Sequence, residues 1–171
     1  MRPVLKWLLL VTLLVAAGAF LAACADQGQS AVPKVGQPAP DISLPRLDGG
    51  TVRLADLRGK VVMLNFWATY CPSCKDELPA MAAVYKQVSD KGGVILAVDQ
   101  SEDTDTVRKF AEDNGLTFPI ALDAQGGAGG VYAVRYIPTT YFVDKNGIIR
   151  YSKVGPMDQD TISSYFASLL N

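Results

Sequence analysis

The chain has 171 residues, and its 16 basic and 17 acidic side chains give a net charge of −1. This balance excludes the strongly basic surface that nucleic-acid binding requires, so we predict no nucleic-acid partner. Because the chain has no histidine and only three cysteines, a zinc site of the usual cysteine and histidine kind cannot be assembled, and no metal is expected. The length is that of one domain, and the hydrophobic content of 49% is enough for a core.

The N-terminus has the organisation of an export signal. Arg2 and Lys6 precede an apolar run over residues 8–20, and the sequence LAAC follows, ending at Cys24. This ending resembles the lipobox of bacterial lipoproteins, in which the signal is cut before the cysteine and the cysteine is lipidated. An uncleaved signal anchor is the alternative, because the apolar stretch is near the lower length limit for a membrane-spanning helix. Either arrangement tethers the protein to the extracytoplasmic face of a bacterial membrane.

The lipobox divides the chain into three predicted parts. Residues 1–23 form the lipoprotein signal peptide. Residues 24–40 form a flexible linker that is lipid-anchored at Cys24 and rich in small, polar and proline residues. Residues 41–171 form the folded domain. With Cys24 lipidated, the other two cysteines can pair only with each other or with another molecule, so a structural disulfide framework is not possible.

The predicted elements of the domain alternate between strand and helix. A small hairpin comes first, around a turn signal at residues 48–50. Residues 61–67, apolar except for Asn65, predict a buried strand, and a helix with an apolar stripe follows. The later elements are a strand at 94–98, a helix capped by Thr104, a strand at 118–122, a short helix in the glycine-rich stretch 126–135, a hairpin over 137–154 and a last helix capped by Asp158. This order predicts an α/β fold with a mixed central sheet covered by helices on both faces.

Four acids lie close together after the strand predicted at residues 94–98, namely Asp99, Glu102, Asp103 and Asp105. Their spacing does not fit a calcium-binding loop. Acids are favoured in the first turn of a helix because they complement the helix dipole. We therefore predict that these acids form the solvated start of a helix.

A C-x-x-C pair lies where the strand at residues 61–67 ends and a helix begins. Cys71 and Cys74 are three residues apart in a first helical turn, so they share a face and can open and close a disulfide with little backbone movement. The N–H groups at the start of the helix favour the thiolate of Cys71, while Cys74 is one turn inside, on the apolar stripe. Cys71 is therefore predicted to attack substrate and Cys74 to resolve the mixed disulfide. Pro72 suits the first helical turn, where its missing N–H would be unbonded.

Glu77 lies three residues after Cys74, at the edge of an otherwise apolar stripe. A carboxyl in that position is predicted to have a raised pKa and to accept the proton that Cys74 must lose before it attacks. The alternative is a solvated acid that only complements the helix dipole, which is what we expect of Asp76.

Several separated motifs together resemble the thioredoxin superfamily. They are the sequence FWATYCPSCK at residues 66–75, Pro79 five residues after the second cysteine, and the sequence IPTT at residues 137–140. The opening VGQPAPD at residues 35–41, the hairpin and the insertion at 94–119 are similar to the membrane-anchored TlpA/ResA-like branch of thiol-disulfide oxidoreductases. The resemblance implies a thioredoxin-like fold with an N-terminal β-hairpin and a central βα insertion.

The resemblance also implies roles for individual residues. It predicts a cis peptide bond before Pro138, which would face the cysteine pair. It further predicts that substrate pairs as an added strand with the backbone of Ile137. We expect Trp67, Tyr70 and Pro72 to complete the substrate-binding surface.

The chain departs from thioredoxin in two places. Asn65 stands where thioredoxin has a buried acid, so that proton shuttle is absent. In the branch that this chain resembles, an acid after the second cysteine takes that role, and Glu77 falls on its position. Tyr70 replaces a tryptophan that is common before the first cysteine, which keeps an aromatic surface beside Cys71.

These features predict an enzyme that reduces disulfides in extracytoplasmic proteins. A disulfide-forming oxidase is the alternative, because reduction potentials in this superfamily span about 150 mV. Strong oxidants tend to carry histidine between the cysteines, whereas this chain has Pro72 and Ser73 there. A peroxiredoxin-type peroxidase would need proline and threonine where the chain has Leu64 and Ala68. A non-catalytic copper carrier would use C-x-x-x-C plus histidine, and the chain has neither.

By the same resemblance, a membrane electron carrier of the CcdA/DsbD type would re-reduce Cys71 and Cys74. Expected substrates are disulfide-bearing envelope proteins. Among them are apocytochromes c with oxidised haem-binding cysteines, which would place the protein in cytochrome c maturation. No cofactor is expected, because the two thiols carry the electrons, and we expect a monomer.

Overall fold

The structure is a computed structural model that describes residues 32–171. The predicted signal peptide, the lipidation site at Cys24 and the first part of the predicted linker, residues 24–31, lie outside these residues and stay predictions. Within the described part of the chain, no helix is both long and apolar enough to span a bilayer.

A two-stranded hairpin precedes the main sheet, as the turn signal predicted. Strands β1 (Ser43–Pro45) and β2 (Thr51–Arg53) pair in antiparallel register. A 3₁₀ helix, Leu54–Leu57, follows directly. Ile42 and Leu54, on either side of the hairpin, are buried in the core on one side of the main sheet. The hairpin therefore packs against the domain through both of its ends.

The main sheet has five strands in the order β5-β4-β3-β6-β7. β3, β4 and β5 run parallel, whereas β6 and β7 are antiparallel to their neighbours. Parallel neighbours need a crossover connection, and each of the two crossovers contains a helix. The strands are β3 (Val61–Trp67), β4 (Gly93–Gln100), β5 (Ile120–Asp123), β6 (Thr139–Val143) and β7 (Ile149–Val154).

The central strand β3 separates two cores through the alternation of its side chains. All seven of its residues are buried. Its apolar residues alternate between the two cores, with Val61, Met63 and Trp67 on one side and Val62, Leu64 and Phe66 on the other. Successive side chains of a strand point to opposite faces, so Asn65 lies on the same face as Met63 and Trp67.

The helices are distributed unequally over the two faces. The face that carries Met63 is covered by α1 (Pro72–Val88), α2 (Thr104–Asp113) and α4 (Gln159–Leu170). The other face is covered by the hairpin, the segment before it and the five-residue α3 (Gly127–Val131). The thioredoxin-like fold predicted from the sequence is confirmed, with its long helices on one side.

The segment before the hairpin was assigned to the flexible linker, and the structure corrects this boundary. The N–H of Gly36 donates to the carbonyl of Ile149 at 2.8 Å, and the N–H of Ala39 donates to the carbonyl of Gly147 at 2.9 Å. The first bond pairs the start of the edge strand β7, which would otherwise present unpaired backbone groups, and the second pairs the turn before that strand. The folded domain therefore begins before residue 41.

The cap of α2 also differs from the prediction by one residue. Asp103, not Thr104, is the N-cap, and its carboxylate accepts the N–H of Thr106 at 2.9 Å. An aspartate in this position reaches the third helical N–H well, which stabilises the first turn. Asp158 caps α4 in the same way, as predicted.

Candidate active site

The cysteine pair lies at the point where β3 leads into α1. Cys71 is the N-cap residue of α1, and Pro72 occupies its first position. Cys71 and Cys74 form a disulfide, with their Cα atoms 5.3 Å apart. The backbone N–H of Cys74 donates to the Sγ of Cys71 at 3.2 Å. The start of the helix therefore directs a donor and a positive partial charge at this sulfur, which favours a thiolate there once the disulfide opens.

The first turn of α1 brings no carboxylate close to Cys71. Within α1, all of which is described, the first turn holds no acid. Asp76, expected in that turn, lies beyond it and is exposed. The hydroxyl of Ser73 lies 3.5 Å from the Sγ of Cys71. Within this first turn, the polar groups near the sulfur are therefore an N–H and an O–H rather than a carboxylate.

The surface next to the disulfide is formed by its neighbours in the chain. Cys71 is 6% exposed and Cys74 is 1% exposed. Tyr70, at 65% exposed, and the exposed Pro72 flank Cys71. Both were predicted to contact substrate, and both lie where a partner that approaches Cys71 would meet them.

The segment before β6 lies against the cysteine pair. The peptide bond between Ile137 and Pro138 is cis, as the resemblance implied. The carbonyl oxygen of Ile137 lies 3.7 Å from the Sγ of Cys71. β6 begins only at Thr139, so Ile137 and Pro138 precede the strand instead of opening it. A backbone acceptor therefore lies within reach of a substrate bound at Cys71.

Trp67 does not belong to this surface. It is 0% exposed and packs on Phe110 of α2, with ring centroids 5.6 Å apart. Its position follows from strand alternation, because Trp67 is in phase with Met63 and faces the same core. The prediction that Trp67 contacts substrate directly does not agree with this burial. Trp67 is a core residue that packs beneath α2.

Glu77 lies one turn after Cys74 on α1 and is 1% exposed. Its Oε1 accepts the N–H of Met157 and its Oε2 accepts the Nδ2 group of Asn65, both at 3.1 Å. Burial disfavours the ionised form and outweighs these two hydrogen bonds, so it raises the pKa of Glu77 to about 7. The solvated alternative is therefore excluded, and Glu77 can bind or release a proton near neutral pH.

A second buried carboxyl corrects the interpretation of the acids at residues 99–105. Asp99 is the seventh residue of β4 and is 0% exposed. Burial and the neighbouring carboxyl of Glu102 raise the pKa of Asp99. The N–H of Glu102 donates to Oδ1 of Asp99 at 3.2 Å, whereas Oδ2 has no partner among the described residues. The signal was present in the sequence, because Asp99 is in phase with the core residues Ile95 and Ala97.

Glu102 connects this carboxyl pair to the active-site loop. Its Oε2 accepts the N–H of Thr69 at 2.5 Å, and its Oε1 accepts the Thr69 hydroxyl at 2.6 Å. Thr69 is two residues before Cys71, so two charge-assisted bonds restrain the loop that leads to the reactive sulfur. Sequence analysis missed this contact because it joins residues 33 positions apart, and no short-range motif signals it.

Comparisons with known proteins agree with this geometry. The model of the AhpC/TSA family matches residues 35–152. Thiol-disulfide oxidoreductase ResA from Geobacillus thermodenitrificans is 40% identical over 168 residues, which cover 98% of this chain and 96% of that protein. Thioredoxin-like protein YneN from Bacillus subtilis is 44% identical over 126 residues, which cover 71% of this chain and 72% of that protein.

Solved structures show the same similarity at the level of the fold. A Chlorobium tepidum protein assigned as the thiol:disulfide interchange protein DsbE superposes with a TM-score of 0.77 at 30% identity. The match covers 81% of this chain and 99% of that one. The fold that holds the cysteine pair is thus shared with a protein named for thiol:disulfide interchange.

Proposed function

The chain belongs to the AhpC/TSA family as a ResA-like thiol-disulfide oxidoreductase, and we propose that it reduces disulfides of envelope proteins through Cys71 and Cys74. One observation carries the proposal: a disulfide at a helix N-terminus has a buried acid, Glu77, one turn behind it. The helix N-terminus favours a thiolate at Cys71. Glu77 supplies a site for the proton of Cys74.

In the first step, the thiolate of Cys71 attacks one sulfur of the substrate disulfide. A bond forms between Cys71 and that sulfur, the substrate disulfide breaks, and the other substrate sulfur leaves as a thiolate that takes a proton from water. The carbonyl of Ile137 and the exposed Tyr70 and Pro72 supply a surface on which an extended substrate pairs. Substrate-strand pairing next to Pro138 aligns the disulfide with Cys71.

In the second step, Cys74 attacks the Sγ of Cys71. Cys74 first loses its proton to the carboxylate of Glu77, which lies one turn along the same helix and has a pKa of about 7. The bond between Cys71 and Cys74 forms, the mixed disulfide breaks, and the second substrate thiolate is released. The cysteine pair loses two electrons, and the substrate gains them.

Each turnover leaves the pair oxidised, so the cycle needs an external dithiol donor. We assign this role to a membrane electron carrier of the CcdA/DsbD type, at the extracytoplasmic membrane face where a lipidated Cys24 would anchor the protein. The substrates are then envelope proteins, with the oxidised haem-binding cysteines of apocytochromes c as the first candidates. The lipobox sequence and the resemblance to the TlpA/ResA-like branch support this assignment.

The reduction potential of the Cys71 and Cys74 couple, measured in the purified protein, tests the direction of electron flow. A value near or below that of thioredoxin, about −270 mV, supports a reductase, whereas a value near that of DsbA, about −120 mV, would make the protein a disulfide-forming oxidase. The Cys74→Ala variant should accumulate a mixed disulfide with a peptide that carries an oxidised C-x-x-C-H sequence. Cys71→Ala is the matched control and should accumulate none.

A peroxidase of the peroxiredoxin type is the alternative that shares the N-terminal sequence pattern. The two positions that its signature requires hold Leu64 and Ala68, both 0% exposed and apolar. Neither side chain can hydrogen-bond a peroxide beside Cys71. We expect negligible consumption of hydrogen peroxide by the reduced protein, and rapid turnover would favour the peroxidase instead.

A further inference from the structure

Asn65 is the polar residue at the centre of β3, and it contacts both the helix and the strand of the active site. It is 0% exposed. Its Nδ2 donates to Oε2 of Glu77 at 3.1 Å and to the Thr140 hydroxyl at 2.9 Å. Thr140 is directly opposite Asn65 in the antiparallel pair of β3 and β6. One amide group therefore joins the buried acid on α1 to the strand that follows Pro138.

The other end of this amide is unused. Oδ1 of Asn65 is buried and has no hydrogen-bond partner among the described residues. Leaving a buried acceptor unpaired is costly, since water would bond it in the unfolded chain. Asn65 thus donates from Nδ2 to two acceptors, while its own Oδ1 has no partner among the described residues. This is the orientation that suits an ionised carboxylate.

Proton uptake by Glu77 would place a donor, rather than an acceptor, opposite the N–H of Asn65. Oε1 already accepts the backbone N–H of Met157, which cannot turn away, so the incoming proton is left to Oε2. Oε2 is the oxygen that faces Asn65. An O–H there would meet the N–H of Asn65, and two donors would oppose each other.

We propose that Asn65 is the positioning residue of Glu77 and that its side-chain amide reverses when Glu77 takes up a proton. After the turn, Oδ1 accepts the O–H of Glu77. The terminal torsion of an asparagine side chain is broad, so the turn requires no backbone movement. The Thr140 hydroxyl follows, because it can donate as well as accept. The proposal rests on the proposed transfer of the Cys74 proton to Glu77.

The consequence is a carboxyl that is hydrogen-bonded in both of its protonation states. The groups around Glu77 are Cys74 on α1, Asn65 on β3, Thr140 on β6 behind Asn65, and the backbone of Met157 before α4. Among the described residues, no charged side chain contributes to the shifted pKa of Glu77. With the disulfide closed, burial raises the pKa of Glu77 and the donors of Met157 and Asn65 lower it, so Asn65 is the side chain through which the pKa can be tuned.

An NMR titration of the full-length protein in detergent tests the amide reversal. The Glu77 carboxyl carbon and the Asn65 side-chain NH₂ group are followed over about two pH units on each side of the Glu77 midpoint. We expect the Asn65 signals to shift with the same midpoint as Glu77, and to lose that pH dependence in Glu77→Gln. Asn65 signals that stay constant while Glu77 titrates would overturn the proposal.

A substitution provides a second, independent test. Asn65→Leu replaces the amide with an apolar side chain of similar size, so Glu77 loses a charge-assisted donor in its ionised form and a weaker, neutral acceptor in its protonated form. We expect the Glu77 midpoint to rise by about one pH unit, a tenfold change in proton affinity. Thr139→Val is the control, because the Thr139 hydroxyl donates to the carbonyl of Tyr136 and not to Asn65. An unshifted midpoint in Asn65→Leu would show a merely structural role and contradict the proposal.

The failure of this proposal and the failure of the proposed function are distinguishable. If Glu77 does not accept the Cys74 proton, Glu77→Gln resolves mixed disulfides at the wild-type rate, whatever Asn65 does. If the side-chain amide of Asn65 does not reverse, its NH₂ signals stay constant while Glu77 titrates. The resolving step would still depend on Glu77.

Discussion

Two buried carboxyls lie behind the active-site loop, and their surroundings differ. Glu77 accepts one hydrogen bond on each oxygen, from the backbone of Met157 and from Asn65. Asp99 accepts the N–H of Glu102 on one oxygen, and its other oxygen has no partner in the described part of the chain. Burial raises the pKa of both, but in Asp99 the neighbouring carboxyl of Glu102 raises it further.

The difference separates a proton acceptor from a structural restraint. Among residues 32–171, Glu77 has no charged partner, and it shares α1 with Cys74, so one proton can move onto it without opposing a second charge. Asp99 accepts a hydrogen bond from the N–H of Glu102, whose side chain holds two bonds with Thr69 of the active-site loop. A buried acid alone is therefore weak evidence of catalysis, and its contacts decide its role.

The largest expected difference between the two acids is in turnover. Glu77→Gln should lower the rate of disulfide reduction by about 10²- to 10³-fold, because it removes the group that accepts the Cys74 proton. Asp99→Asn should stay within about twofold of wild type, since Asn keeps an acceptor for the N–H of Glu102. Reduction of a model protein disulfide under identical donor conditions measures both. Equal losses in the two variants would remove the distinction between the acids.

The pH dependence of stability should also separate Glu77 from its variant. The pKa of Glu77 is raised from 4.5 to about 7 in the folded protein, so the folded state binds more protons than the unfolded state between these values. The stability from the protonated acid is complete below about pH 4.5 and is lost as the pH rises through about 7, which amounts to about 3 kcal/mol. The unfolding free energy of Glu77→Gln minus that of wild type should therefore increase by that amount as the pH rises from below about 4.5 to above about 7.

Urea unfolding of the oxidised proteins at several pH values measures this difference. Groups other than Glu77 titrate equally in both proteins and cancel. If this difference stayed constant across the pH range, Glu77 would have an ordinary pKa despite its burial.

A stability effect of the same sign is expected at Asp99, whose carboxyl interacts with that of Glu102. Its raised pKa again gives stability that is complete at low pH and lost as the pH rises through the folded-state value. Asp99→Asn should therefore stabilise the protein at alkaline pH by about 1–2 kcal/mol, since it removes a buried charge beside Glu102. Asp105→Asn, an exposed acid on α2, is the control and should change stability by less than about 0.5 kcal/mol. Thermal unfolding at mildly alkaline pH distinguishes the two.

The sequence predicted the parts of the site that depend on local pattern. The apolar run of β3 and the cysteine spacing located the strand, the helix start and the disulfide without any tertiary information. The cis bond before Pro138 was predicted only from the family resemblance, because cis bonds before proline are uncommon and the local sequence does not indicate one. Contacts such as Glu77 with Met157, 80 positions apart, follow from the way α4 packs and are not visible in any window of sequence.

Strand alternation would have corrected two of the errors. Trp67 and Asp99 are paired neighbours on the parallel strands β3 and β4, and both are in phase with core residues of their strands. The aromatic motif drew attention to Trp67 as a contact residue, and the run of acids made Asp99 resemble a helix start. Counting positions along each strand would have placed both side chains inside.

The most direct test of the account is the rate at which Cys74 resolves a mixed disulfide at Cys71, measured as a function of pH. Stopped-flow release of the second thionitrobenzoate, after reduced protein reacts with Ellman's reagent, reports this step. We predict a rate that rises through a midpoint of about pH 7, where Glu77 ionises. The rise should persist in Asp99→Asn and disappear in Glu77→Gln. The same profile in Glu77→Gln as in wild type would contradict the role of Glu77 as the proton acceptor.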